Sequence, residues 1–174
     1  MNTVDTPDLR PRTTVALFDA AVRLVTTGSG IWAFTLPAGA ALVASAFNLT
    51  EAVQRSANLV WPSLWVALAW SFRAISQGAA CFWFEQQLVK GTEPSIRQSW
   101  LEALKHAPGL LIAAGHNLVL NLALGIFTLG LGFLFVGAHS VAYAVIMRGE
   151  GSALSIYSTC SKLLGPSRHK AAWV

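Results

Sequence analysis

The sequence predicts an all-α fold, a polytopic membrane helical bundle of about four transmembrane helices plus amphipathic interfacial helices. Three observations carry that expectation. Of the 174 residues, 54% are apolar and only 11% are charged, where soluble domains average about 25% charged. The charge is also unevenly spaced: no Asp, Glu, Lys or Arg occurs in the 27 residues from Leu24 to Thr50, the 17 from Ser56 to Phe72, or the 42 from His106 to Met147. Finally, the basic residues gather on one side once the apolar stretches are laid across a bilayer.

A span needs about 20 predominantly apolar residues. The first stretch therefore holds one span, and the last is long enough for two joined by a hairpin. Residues 56 to 84 read as one long apolar helix with a single charge, Arg73, set in it. Taking the spans as 28 to 50, 58 to 84, 108 to 126 and 129 to 147, one side receives Arg10, Arg12, Arg23, Lys90, Arg97, Lys105, Arg148, Lys162, Arg168 and Lys170. The other receives Arg55 alone. Cytoplasmic loops carry the Lys/Arg excess, so both termini are expected in the cytoplasm of a bacterial inner membrane. The organisation that follows is a cytoplasmic tail and amphipathic helix over 1 to 27, a four-helix transmembrane domain over 28 to 147, and a cytoplasmic amphipathic helix over 148 to 174.

Each element has a local signature. Met1 to Arg12 is polar and rich in Pro, Asp and Arg, unlike the basic start and short apolar core of a signal peptide, and is expected to stay on the chain. The first span pairs small residues four apart, Ala40 with Ala44 and Ala41 with Ser45, which lets a neighbouring helix approach closely in lipid. Pro37 in the same span is tolerable where neighbours re-satisfy the freed backbone. Gly125, Gly130 and Gly132 mark an uncharged hairpin with Thr128 near its tip. Trp32, Trp61, Trp65, Trp83 and Trp100 fall near span ends, where amphipathic rings favour the headgroup level.

The segments between spans repeat a pattern. In Pro94 to Ala107, apolar Ile96, Trp100, Ala103, Leu104 and Ala107 recur at helical spacing, with Arg97, Gln98, Glu102 and Lys105 on the other side. Pro94 suits a first helical turn. Thr14 to Val25 and Ser152 to Leu164 are patterned alike, so the repeating unit reads as an interfacial helix followed by a transmembrane hairpin. The third such helix has no hairpin after it within the sequence.

Two of these segments carry a resemblance. Pro94-Ser-Ile-Arg-Gln-Ser-Trp-Leu-Glu-Ala-Leu-Lys-His-Ala-Pro-Gly-Leu-Leu111 and Gly149-Glu-Gly-Ser-Ala-Leu-Ser-Ile-Tyr-Ser-Thr-Cys-Ser-Lys-Leu-Leu-Gly165 resemble the amphipathic lead-in helices of the membrane domain fused to some bacterial glycerophosphodiester phosphodiesterases. That family also includes stand-alone inner-membrane proteins. The resemblance covers about a fifth of the chain. It implies a membrane-embedded helical fold; the phosphodiesterase chemistry belongs to a separate soluble domain, so no catalytic residue carries over.

Candidate functional residues are the polar ones inside the spans, because intramembrane polar groups are costly. Arg73 comes first, at about 2.5 to 3.5 kcal/mol on insertion scales, and should have a partner or water. Gln77 lies one turn on, and Ser76 and Gln87 are polar groups of the same helix. The third span offers His116, Asn117 and Asn121, and the fourth His139, Ser140 and Tyr143. A pocket of Arg73, Gln77, Asn117, Asn121 and His139 would bind an anionic headgroup or line a polar path. The favoured reading is plainer: such groups hydrogen-bond helix to helix, at about 0.6 to 2 kcal/mol per contact.

His116 and His139 sit on different spans with no carboxylate inside the membrane, so no metal site is expected. Cys81 and Cys160 lie far apart and suggest no disulfide framework. Phosphate-loop, dinucleotide and serine-nucleophile motifs are absent, so neither a cofactor nor enzymatic activity is expected. The net charge of +4 and pI near 9.5 follow from the one-sided placement and do not point to nucleic acid. The expected partners are the lipid bilayer and other membrane-protein subunits or further copies of the chain. The expected function is that of a structural or accessory subunit packing on other membrane proteins, with a small transporter or channel built around Arg73 as the alternative.

Overall fold

A computed structural model describes residues 29 to 89, 91 and 92, 94 to 127, 141 to 149, and 159 and 160. Among these, every regular element is helical, as the sequence predicts. A 3-10 turn, Ser29–Ile31, leads into α1 (Trp32–Gln54), followed by α2 (Val60–Val89), α3 (Ile96–Lys105), α4 (Ala107–Phe127) and α5 (Ala142–Met147). Thr14 to Val25, Thr128 to Ser140 and most of Ser152 to Leu164 lie outside the described residues.

The long helices persist because their polar side chains are satisfied locally. Thr35 Oγ1 donates to the Ile31 carbonyl, Ser45 Oγ to Leu42, Thr50 Oγ1 to Ala46 and Ser71 Oγ to Ala67, at 2.8 to 3.2 Å. Returning a hydroxyl to the preceding turn removes the need for an outside partner. Helix α1 stops at Ser56, whose φ of 51° places it in the left-handed region. The Ser56 N–H then donates to Val53 and the Ala57 N–H to Ala52, at 3.1 and 2.9 Å, the paired bonds that close a helix C-terminus. Asn58 Oδ1 accepts from the Val60 N–H at 2.9 Å and starts α2 two residues later. Pro62 sits in that helix's first turn, where its missing N–H costs nothing.

Helix α2 is the spine of the packed end, touching α1, α3, α4 and α5. Its thirty residues extend about 45 Å at 1.5 Å per residue. Two glycines mark the closest approaches. A Cβ on Gly30 would fall 2.6 Å from the Trp83 ring, and one on Gly78 would fall 2.5 Å from Leu110 Cδ1. With α1 and α2 antiparallel, Gly30 stands level with Trp83, while Gly109 abuts Ile146 and Arg148 Nε lies 3.2 Å from Glu85 Oε1. The start of α1, the end of α2, the start of α4 and the end of α5 therefore share one end of the bundle. The Glu51–Arg55 pair, at 2.5 Å, caps the opposite end of the α1–α2 hairpin.

The core lies toward the first of these ends. Phe34, Ala79, Ala80, Trp83, Leu110 and Met147 are among its buried members. The other halves of the helices are sheathed in exposed apolar side chains: Phe47 is 73% exposed, Val60 70% and Val119 67%. Patches of this kind on a protein mark contact with lipid or another chain.

Trp32–Gln54 is the one helix among the described residues long and apolar enough by itself to cross a membrane, and 17% of its most apolar window is buried. A shorter apolar stretch, Ala107–Val119, follows the same pattern. Helix α2 falls short on hydropathy because Arg73, Gln77 and four tryptophans interrupt its aliphatic run.

Several expectations are corrected. The first α-helix begins at Trp32, inside the expected start at 28, and ends at Gln54, beyond the expected end at 50. Gly125 belongs to α4, which continues through Phe127, so the turn cannot begin there. Pro94 precedes its helix: Ser95 is the N-cap, its hydroxyl accepting from the Gln98 N–H at 3.1 Å, and this arrangement needs an extended residue ahead of Ile96. The packed face of α3 is Ser99 and Ala103 with half-buried Trp100, while Ile96, Leu101 and Leu104 are exposed. Small Ser99 lets α3 lie close on α2, which turns the leucines outward. Ala40 is exposed, and the small-residue seam of α1 runs through Ala38, Ala41 and Ser45.

Candidate functional site

Three helices bring polar side chains together at one level of the bundle. Arg73 and Gln77, four apart on α2, share a face of that helix. Asn117 of α4 and Arg73 of α2 are the polar groups that bear on the Tyr143 hydroxyl of α5. Arg73 is exposed, whereas Gln77, Asn117 and Tyr143 are half-buried.

Of the residues that the sequence offers for a pocket, Arg73 and Gln77 lie on α2 and Asn117 on α4. Both Arg73 and Asn117 bear on Tyr143, which the sequence offers as a polar group of the fourth span. The signal available was its place one helical turn after His139. His116 is exposed on α4 and has an interaction partner. Asn121 lies in α4 one turn beyond Asn117, and His139 lies outside the described residues. Gln87 stands near the far end of α2, its Oε1 buried without a hydrogen-bond partner among the described residues, and does not join the cluster.

Charge around the cluster is unbalanced. Among the described residues Glu51, Glu85 and Glu102 pair with Arg55, Arg148 and Lys105, which leaves no carboxylate on Arg73. A guanidinium presents five N–H donors, while the Gln77 amide can donate and accept. Both side chains can donate to oxygen acceptors.

The surroundings fix the height of the site. Phe72, the residue before Arg73, stacks on Trp100 of amphipathic α3, with ring centroids 5.4 Å apart and planes 5° apart. Phe34 of α1 closes on the same indole at 5.8 Å. Trp83, for its part, is 6% exposed and edges onto Phe84 at 5.4 Å. Trp83 and Trp100 are therefore packing residues, in contrast to the headgroup anchoring expected of them, while Trp32, Trp61 and Trp65 remain exposed.

A second feature lies on the α1 side of α2. An open groove of about 410 Å³ runs between the helices, with Ala44, Ser45 and Ala69 against Trp65, Leu68 and Phe72. Its lining is almost entirely apolar.

No protein-family model, no curated protein and no solved structure matches this chain. The class that can be stated is that of a protein whose described elements are all helical and carry exposed apolar side chains along the helices away from the core.

Proposed function

We propose that this chain is a multi-spanning membrane protein whose helices pack on other membrane proteins as a structural or accessory subunit. The observation that carries the reading is the division of polar and apolar groups. A polar side chain at the packed end bonds helix to helix, Ser76 Oγ of α2 donating to the Phe34 carbonyl of α1. The outer halves of α1 and α2 instead present Phe47, Trp61 and Trp65 around a groove with small side chains along its α1 wall. In hydrocarbon, close packing on small residues is a main source of helix association.

The placement of charge supports a bacterial inner-membrane orientation with the Arg148 end in the cytoplasm. Arg97, Lys105 and Arg148 lie at or near that end, while Arg55 lies at the other. The lead-in segments that resemble the glycerophosphodiester phosphodiesterase membrane domain fit the same orientation.

Purification of the full chain in mild detergent, followed by native mass measurement, tests the role. A stoichiometric complex with another membrane chain, lost when Ala44 is replaced by Leu, is the expected result. A symmetric homo-oligomer that conducts a polar solute after reconstitution, with flux abolished by Arg73→Leu, would replace it with the transport reading. Exposed Arg73, with no carboxylate on it among the described residues, is the observation on that side.

A further inference from the structure

We infer that the groove between α1 and α2 binds a neutral single-chain amphiphile, its acyl chain laid along the groove and its head at Asn48. The inference goes beyond the accessory role, since Phe47 and Trp61, outside the groove's lining, stay exposed for a partner chain. It rests on the membrane placement proposed above only in setting the head at a bilayer surface.

The groove has two ends of different character. Its α1 wall is Ala41, Ala44, Ser45 and Asn48, and its α2 wall runs from Trp65 to Phe72, a length of about 10 Å at 1.5 Å per residue. The antiparallel register that sets Gly30 beside Trp83 also sets Ala41 level with Phe72 and Asn48 level with Trp65. Phe72 stacks on Trp100, which in turn closes on Phe34, so this aromatic stack walls off the inner end. The outer end lies one turn from the Glu51–Arg55 pair.

Volume selects a chain over a helix. The groove holds about 410 Å³, within the roughly 300 to 1,000 Å³ of small-molecule pockets. A helix about 10 to 12 Å across would fill on the order of 1,000 Å³ over the same length. The groove therefore admits a run of methylenes and excludes a helix backbone. Ser45 is buried and spends its hydroxyl on the Leu42 carbonyl at 2.9 Å, so the α1 wall stays apolar as far as Asn48. Ala44 and Leu68 are exposed, which leaves the groove open along its side to an entering chain.

The outer end selects the head. Asn48 is exposed there and makes no hydrogen bond among the described residues. Its amide both donates and accepts, and Trp65, on the facing wall, carries an indole N–H. One turn away, Glu51 and Arg55 neutralise each other. An amide and an indole beside a neutral pair complement hydroxyl and ester oxygens, whereas a charged head would meet no free counter-ion among the described residues.

The test is photolabelling of the full chain in non-ionic detergent by a monoacylglycerol with a diazirine in its acyl chain, the labelled positions being read by peptide mass spectrometry. Label is expected to concentrate on residues 41–48 and 65–72 and to be competed by excess monoolein. Ala44→Phe fills the groove and should cut that label about tenfold, while Asn48→Leu should weaken competition by monoolein roughly two- to tenfold. Val119→Phe, on the exposed face of α4, should leave it unchanged. Lysophosphatidylglycerol should compete less well than monoolein; equal competition would overturn the neutral head. Label spread evenly over Phe47, Val60 and Val119, or undiminished in Ala44→Phe, would overturn the site. Should Ala44→Phe fail to fold, Leu68→Trp narrows the groove from its other wall, and full label in that variant would overturn the site equally. A chain purified alone that takes no groove label would also overturn it and leave the groove to a partner helix. A chain that takes the label yet forms no complex with another membrane protein would defeat the accessory role and leave the site standing.

Discussion

Ser76 Oγ of α2 donates to the main-chain carbonyl of Phe34 in α1 at 2.5 Å, three residues ahead of Pro37. Pro37 cannot donate to its own preceding turn, and its ring disturbs the carbonyls there. The carbonyl left without its helical donor is that of Ala33, and the Ser76 hydroxyl bonds the adjacent Phe34 carbonyl, tying α2 to α1 beside the proline. Ser76→Ala should therefore lower stability in detergent by about 0.6 to 1.7 kcal/mol. Reversible unfolding of the purified chain checks this, and no change would mean that the bond contributes nothing.

The C-terminus of α1 offers a gain. Ser56 holds φ at 51°, a conformation that costs an L-residue roughly 1 kcal/mol and glycine almost nothing. Ser56→Gly should raise stability by about 0.5 to 1 kcal/mol, since the exposed side chain makes no packing contribution to lose. The midpoint of thermal unfolding is the measurement, with Ser56→Val as the opposite extreme.

Close approach of α2 and α4 makes Gly78 intolerant. An added methyl would meet fully buried Leu110 at 2.5 Å, and overpacking of this kind costs about 1 to 3 kcal/mol. Gly78→Ala should destabilise, and Leu110→Ala in the same chain should recover part of the loss by making room. A double-mutant cycle reads the coupling; additive effects would show that the two helices do not meet there.

Much of the helix layout was legible beforehand because its causes are local. The charge-free stretches located α1, α2 and α4 to within a few residues, and the alternation of Arg97, Gln98, Glu102 and Lys105 with apolar positions located α3. What escaped were the long-range pairings. Nothing in the spacing of Ser76 says that its partner is a carbonyl 42 positions away, and Asn117 bears on Tyr143 only through the way α5 lies on α4. Tryptophan is equally ambiguous in one dimension, since a span-end ring that anchors at headgroups and one that packs, like Trp83, have the same sequence context. Pro94 suits a first helical turn by composition, yet it lies outside the helix because the Ser95 hydroxyl caps the Gln98 N–H.

Cys160 connects the last described segment to the core. It is 3% exposed and packed among the buried residues of the bundle, and burial pushes its thiol above the ordinary range. In a Cys81→Ala background at pH 8, maleimide should modify Cys160 at least about tenfold more slowly in the native chain than after unfolding, because the thiolate is the reactive species. Equal rates would show that this segment does not dock on the bundle.

The most direct test of the membrane account is the sidedness of two exposed positions, Ala57 beyond α1 and Thr92 beyond α2. Each is replaced singly by cysteine in a chain lacking Cys81 and Cys160, and intact cells and inverted vesicles are treated with a membrane-impermeant maleimide. The account predicts that Ala57→Cys reacts only from outside and Thr92→Cys only from the cytoplasmic face. Labelling of both from the same face, or recovery of the chain without detergent, would contradict it.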